Sequence, residues 1–206
     1  MPTMPRFHLF RSLAAGTLTL LLTACASTGP LPDTSVASYR DTVELSGRLS
    51  VNYEHDGKPE TLSGKFSWAQ TPAAIDVALA SPLGQTLATI KVTPDSATLT
   101  QTDRAPKVAR DIDTLTSQAL GWSLPVSGLR DWLQGYATGA DGKRVATSPA
   151  RNEVTTADGW RVTFVSWQDA LPSSALAPQP KRIDATRAAT ATSGELALRI
   201  VIDPRS

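Results

Sequence analysis

Val43-Glu44-Leu45-Ser46-Gly47-Arg48-Leu49-Ser50-Val51-Asn52-Tyr53-Glu54 is the stretch on which the fold turns. Val43, Leu45, Leu49, Val51 and Tyr53 share one parity, and Glu44, Ser46, Arg48, Ser50, Asn52 and Glu54 share the other. A period of two sustained over this length describes a strand with one apolar and one wet face. Downstream, His55-Asp56-Gly57-Lys58-Pro59 reads as a turn, and Leu62, Gly64, Phe66 and Trp68 alternate with polar residues as the return strand. Thr71-Pro72 ends that strand. Ile75, Val77 and Leu79 mark a third, Ser81-Pro82-Leu83-Gly84 a turn, Thr86 to Val92 a fourth and Ser96 to Gln101 a fifth.

Between Lys107 and Gln134 the period changes. Ile112, Leu115, Ala119 and Leu120 fall at helical spacing, and so do Val126, Leu129, Trp132 and Leu133 after Pro125. The spacing predicts two short helices separated by Gly121-Trp122-Ser123-Leu124-Pro125, with Gly135 as the stop of the second. Strands resume near Asn152. Asp158-Gly159 between Val154-Thr155-Thr156 and Trp160-Arg161-Val162-Thr163-Phe164 is a hairpin signal. Pro172, Pro178 and Pro180 mark a long loop, Lys181 to Arg187 a strand, and Leu196, Leu198, Ile200 and Ile202 a final alternating strand. Strands, short helices and strands again predict a mainly β chain with little α. The expected architecture is a curved antiparallel sheet with the helices on one side, as in an open barrel.

The chain has 206 residues, 20 Lys+Arg against 19 Asp+Glu, and a net charge of +1. That balance leaves no basic footprint for nucleic acid. One cysteine and two histidines exclude an internal disulfide and most metal or histidine-base chemistry. His55 is the only histidine outside the leader and sits in a polar turn. No nucleophile elbow, zinc-binding helix motif or phosphate loop occurs, and Asp111 and Asp113 lie on different helix faces. No catalytic and no metal residue is expected.

The N-terminus reads as an export signal. Arg6, His8 and Arg11 precede an apolar run from Leu13 to Leu22, shorter than the roughly 20 residues that span a bilayer. Leu22-Thr23-Ala24-Cys25 resembles the bacterial lipoprotein box, which implies a signal over residues 1–24, cleavage before Cys25, and diacylglyceryl and N-acyl groups on that cysteine. Ala26, where an Asp would signal retention, implies the outer membrane of a Gram-negative bacterium. The Ser/Thr/Pro-rich run that follows makes residues 25–38 an acylated end and flexible tether, and residues 39–206 the domain. No cofactor is expected beyond those covalent lipids.

Trp68, Trp122, Trp132, Trp160 and Trp167 lie beyond the leader, beside Phe66 and Phe164. These rings either fill a core or line a cavity, and either fits the pattern. Leu83 at a turn tip is either an ordinary exposed leucine or a functional one. A receptor for apolar groups, a lipid-binding lipoprotein without a transfer role and a scaffold with a solid core all fit.

Phe66-Ser67-Trp68, Ser81-Pro82-Leu83-Gly84, Gly121-Trp122-Ser123-Leu124-Pro125-Val126 with Leu129 and Trp132-Leu133-Gln134-Gly135, Gly159-Trp160-Arg161-Val162 and the closing strand resemble the LolB family of outer-membrane lipoprotein receptors. The resemblance covers nearly all of the chain after Cys25. It implies an incomplete antiparallel β-barrel, a half-barrel capped by helices around a hydrophobic cavity. It also implies a monomer that accepts acylated lipoproteins from the periplasmic carrier LolA and inserts them into the inner leaflet of the outer membrane. By the same resemblance Leu83, with Pro82 and Gly84, forms the membrane-delivery loop. Phe66, Trp68, Leu129, Trp132, Leu133 and Trp160 are the expected cavity residues. The chain departs from the family pattern in having no tryptophan shortly after the last strand, and in carrying Trp167 where members commonly have tyrosine.

Overall fold

The alternation beginning at Val43 is one 13-residue strand, β1 (Val43–His55), paired along its whole length with β2 (Lys58–Gln70). The computed structural model describes residues 31, 33–55, 57–120, 125–168, 177–190 and 194–204. The leader, Cys25, Trp122 and Pro172 lie outside those residues, as does the side chain of His55. The compact unit runs from Leu31 to Ser206.

After β2 the chain forms β3 (Ile75–Ala80), β4 (Thr86–Val92), β5 (Ala97–Gln101) and a short β6 (Lys107–Ala109). Two helices follow, α1 (Ile112–Leu120) and α2 (Val126–Trp132). A small hairpin comes next, β7 (Tyr136–Thr138) with β8 (Arg144–Ala146). The chain closes with β9 (Glu153–Thr155), β10 (Trp160–Gln168), β11 (Gln179–Arg187) and β12 (Leu196–Ile202). Ten strands make one antiparallel sheet in the order β6-β5-β4-β3-β2-β1-β12-β11-β10-β9. The first and last long strands are neighbours at its centre, Gly47 opposite Ile202 and Asn52 opposite Ala197. β6 and β9 remain open edges of three residues each, so the barrel is incomplete, as expected. Short edge strands offer little template for another chain to pair with.

The inward parity supplies the core: Val51, Trp68, Val77, Ile90, Leu99, Val162, Phe164, Ile183, Leu198 and Ile200 are all buried. The outward parity carries Glu44, Arg48, Lys65, Lys91, Arg161 and Arg199, all exposed. Asp111 caps α1, its Oδ1 accepting from the Thr114 amide at 2.7 Å. That backbone bond, with a further one from the Thr114 side, holds the Asp111 carboxyl below the usual range. α2 buries Val126, Leu129 and Trp132 along one stripe and stops at Gly135, which adopts φ +82. A Cβ on Gly135 would also run into Val36, so packing and backbone both require glycine there.

Three features differ from the sequence reading. The region from Lys107 begins with a strand, β6, rather than a helix, and strands resume at Tyr136, before Asn152. Strands of three residues are too short to display an alternation. The β7–β8 reversal did carry a signal, since Asp141-Gly142 places a glycine where φ reaches +75. Finally, part of the expected tether is ordered against the domain. Val36 is buried and its amide donates to the Thr147 carbonyl at 3.0 Å. Asp33 accepts from Ser148 Oγ and Arg151 Nε, each at 2.8 Å. Arg40 and Gln134 exchange two hydrogen bonds of 3.0 Å, and Tyr136 Oη donates to the Ala37 carbonyl at 2.8 Å. The Arg144 guanidinium lies 3.6 Å from the centre of the Tyr39 ring.

A Cβ on Gly47 would collide with the Val201 carbonyl oxygen and the Phe66 ring. Gly47→Val is therefore expected to cost about 2–3 kcal/mol by overpacking, lowering Tm by roughly 5–10 °C for a domain of this size in thermal denaturation. Hydrogen bonds from Ser148 and Arg151 hold the Asp33 carboxyl below its ordinary value. A lowered carboxylate stabilises the docked segment above the usual Asp range and ceases to do so as pH falls through the lowered value. The protection of the Val36 amide against hydrogen exchange, relative to its intrinsic rate at each pH, is thus expected to fall on acidification before that of the β1 amides.

Candidate functional site

The concave face of the sheet is not evenly filled. Beneath α1, between that helix and β1 to β5, lies a hollow of about 230 Å³. Its walls are mostly aliphatic: Leu49, Val51, Leu62, Leu79, Leu87, Ala88, Ile90 and Leu99 from the sheet, and Leu115 and Ala119 from α1. Beneath α2 lies a second, much tighter space of about 30 Å³. Phe66, Trp68, Val77, Val126, Leu129, Leu133, Leu198 and Ile200 surround it. Leu49, Leu79 and Ile90 line both, so the two are neighbours beneath the helices. A dry apolar cavity of about 150 Å³ already takes a benzene-sized ligand. The first space therefore admits an apolar guest as it stands, whereas the second holds about one water-sized volume.

Four of the expected cavity residues, Phe66, Trp68, Leu129 and Leu133, meet around the tight space under α2. Trp132 and Trp160, by contrast, line neither of these two spaces. Their rings pack edge to face at 6.0 Å and 63°, are 2% and 1% exposed, and form solid core under β10. Arg187 covers Trp160 at 5.0 Å. The residues of the larger hollow were missed. Leu115 and Ala119, four apart on one helix, were visible as an apolar stripe, but a stripe does not say that its opposite wall stands off. Leu87 has the outward parity and reaches the hollow where the β3–β4 register slips between Leu79 and Ala80. Trp167 is half-buried and stacks on Phe164 at 5.7 Å, away from the hollow.

The Ser81–Gln85 turn borders this hollow, because Ala80 and Leu87 flank the turn and also line the space. Pro82 presets the first turn residue. The Gly84 amide donates to the Ser81 carbonyl at 2.8 Å, and the Ser81 amide donates to the Gln85 carbonyl at 2.8 Å. Ser81 Oγ accepts from the Gln85 amide at 3.2 Å. Gly84 takes φ +92, which closes the turn back into β4. This frame holds Leu83 91% exposed. Leu62 and Leu87 on the rim are also exposed, at 39% and 47%. A single exposed leucine is ordinary, but three beside an apolar opening are a patch.

The two helices are linked through Ser127 Oγ, which donates to Asp113 Oδ2 at 2.8 Å. α2 is also fixed from outside, by the docked N-terminal segment, where Arg130 Nε donates to Tyr39 Oη at 3.2 Å, and by β8, whose Arg144 pairs with Asp131 at 2.9 Å. Burial pushes the Asp131 carboxyl up in spite of Arg144 and Arg130.

Comparison with known proteins gives a consistent picture. The family described as "Outer membrane lipoprotein LolB" matches residues 41–204. A protein of Cupriavidus taiwanensis named outer-membrane lipoprotein LolB is 40% identical over 189 residues, covering 91% of this chain and 92% of the relative. One of the same name from Cupriavidus pinatubonensis is 40% identical over 206 residues, covering 99% and 98%. Another from Cupriavidus necator is 41% identical over 188 residues.

If the space beneath α1 is the accessible apolar site, filling it removes binding without harming the core. Ala119→Phe is expected to reduce the fluorescence of a bound polarity-sensitive apolar dye several-fold, with Tm changed by no more than a few degrees.

Proposed function

This chain belongs to the LolB family of outer-membrane lipoproteins, and from that membership we propose how its hollow and its exposed turn act in lipoprotein localisation. It faces the periplasm from the outer membrane, held there by acyl groups on Cys25. Several acyl chains, each methylene contributing about 0.8 kcal/mol, make such an anchor stable. The protein takes acylated lipoproteins from a LolA-like soluble carrier, works as a monomer, and releases them into the inner leaflet.

The physical problem is exposure. An acyl chain of about 15 methylenes costs on the order of 12 kcal/mol to leave in water. A receptor that uses no nucleotide works only if affinity rises from carrier to receptor to bilayer. The apolar hollow under α1 offers the intermediate shelter, and the tight space under α2 extends it when the helix moves outward. Trp68, Phe66, Leu129 and Leu133 then become its walls. Leu83 enters the lipid surface beside the opening and shortens the path of the acyl chain through water.

The observation that carries this reading is the adjacency of the hollow and the Leu83 turn, which share Ala80 and Leu87. The test is to separate acceptance from delivery. Leu83→Glu is expected to take an acylated lipoprotein from the carrier at the normal rate. Its transfer to vesicles is expected to slow by about tenfold or more, because a carboxylate is costly to bring into a bilayer. Normal delivery by this variant would remove the role of Leu83. Failure to accept would place Leu83 in the carrier contact instead.

A further inference from the structure

The outward parity of the sheet carries a row of cations, the first of which, Lys65, also borders the hollow beneath α1. Lys65 stands opposite Ala80, the last residue of β3 before the Leu83 turn. Arg48 stands opposite Lys65, Val201 opposite Arg48, and Arg182 opposite Val201. With strands about 4.8 Å apart, Lys65, Arg48 and Arg182 span roughly 14 Å away from the turn. Arg199, opposite Ser50, lies in the adjacent register row.

The arrangement is costly to the fold. Lys65 and Arg48 are like charges directly opposite each other, a pairing that destabilises a sheet. Both are exposed, and neither forms an ion pair or side-chain hydrogen bond with another described residue. The one acid among them, Asp184, is already shared between Arg182 and Arg199, whose Nε atoms lie 3.0 and 3.2 Å from its Oδ1. Of the other acids of outward parity on these strands, Glu44, Asp76 and Asp203 lie on the side away from the turn, and Glu54 lies six residues along β1 from Arg48, about 20 Å away. Unneutralised cations therefore begin one strand from the most exposed leucine of the described chain.

We propose that Lys65 and Arg48, extended by Arg182 and Arg199, bind the anionic phosphate headgroups of the bilayer that Leu83 enters. A leucine at a turn tip reaches below the headgroups, and cations set back from it by one or two strands meet them, as in other interfacial binding surfaces. The Leu83 turn sets the depth and the basic row sets the tilt of the sheet on the lipid surface. This rests on the reading that Leu83 enters lipid. It adds that the target surface is recognised by its charge.

The test uses the chain from residue 25 with Cys25→Ala, which removes the lipid anchor. That change lies outside the compact unit beginning at Leu31. Flotation is compared on vesicles of phosphatidylcholine alone and with about 30 mol% phosphatidylglycerol, which gives the surface a negative potential, at low and high salt. Tighter binding to the anionic vesicles is expected, on the order of fivefold per cation engaged, and falling as salt rises. Arg48→Gln with Lys65→Gln is expected to abolish that preference while leaving binding to neutral vesicles unchanged. Lys143→Gln, in the β7–β8 turn, is expected to keep it. Equal binding to both vesicles, a preference that survives the double substitution, or an equal loss in Lys143→Gln would each overturn the proposal, as would binding to neither vesicle. Leu83→Glu separates the two readings. Weakened binding to both vesicle types supports entry of Leu83. Unchanged binding of that variant removes Leu83 from the membrane while a charge preference abolished by Arg48→Gln with Lys65→Gln still stands.

Discussion

Ten antiparallel strands present one continuous apolar face, and the chain has little with which to cover it. At about 4.8 Å per strand the sheet is nearly 50 Å wide along its curve. At 1.5 Å per residue the nine residues of α1 and the seven of α2 are about 14 and 11 Å long. Curvature lets part of the face bury itself. Under β10 to β12 the rings of Trp160, Phe164 and Trp132 are buried and take up much of the face, apart from a hollow of about 190 Å³ beside Val43, Leu133, Pro180 and Ile202. Under β1 to β5 the deficit is not made up, and the hollow is what remains. A mismatch between sheet area and helix length is thus the structural origin of the hollow.

The same mismatch explains why the lid is held from outside. Helices this short have little stability of their own and depend on packing. α2 has partners on both sides, with Leu129 and Val126 toward the sheet and Arg130 and Asp131 toward Tyr39 and Arg144. α1 is less supported. Its tie to α2 is the Ser127–Asp113 hydrogen bond, and Asp113 Oδ1 is buried with no partner among the described residues. An unsatisfied buried acceptor raises the energy of the closed arrangement and lowers the cost of leaving it. The helix over the open hollow is therefore the more loosely held of the two, and the tight space opens only when the outer contacts of α2 with Tyr39 and Arg144 give way.

Alternation revealed the long strands because burial on one face leaves a record at every second residue. β1, β4 and β12 were legible nearly to their ends for that reason, whereas β2 begins at Lys58, within residues that read as a turn. Elements of three residues leave no such record, so β6 and the strands of the β7–β8 hairpin showed no alternation, and β9 was legible only through the Asp158-Gly159 turn that follows it. The ordered segment around Val36 looked like a tether because its composition is that of one, and its order comes from partners a hundred residues away, such as Thr147 and Gln134. The site was legible at its exposed element. A Pro-Leu-Gly turn states in sequence that a leucine will stand out. The hollow was legible only by resemblance, and imperfectly, because an aromatic residue looks the same whether its neighbour is another ring or empty space. Trp68 and Trp160 both sit on inward parity, and only the second has Trp132 against it.

The modest size of the hollow bears on how transfer can run without an energy source. A space of about 230 Å³ is only somewhat larger than one that holds a benzene-sized guest, so it shelters a few methylenes of a long chain and leaves the rest dependent on outward movement of α2. Each methylene left in contact with water forfeits about 0.8 kcal/mol. A guest held in this way is better placed than in water and worse placed than in a bilayer, where every methylene is covered. Deepening the pocket would strengthen capture and at the same time weaken release. A shallow hollow under a poorly tethered helix, opening beside an exposed leucine, keeps the protein on the intermediate step that a downhill transfer requires.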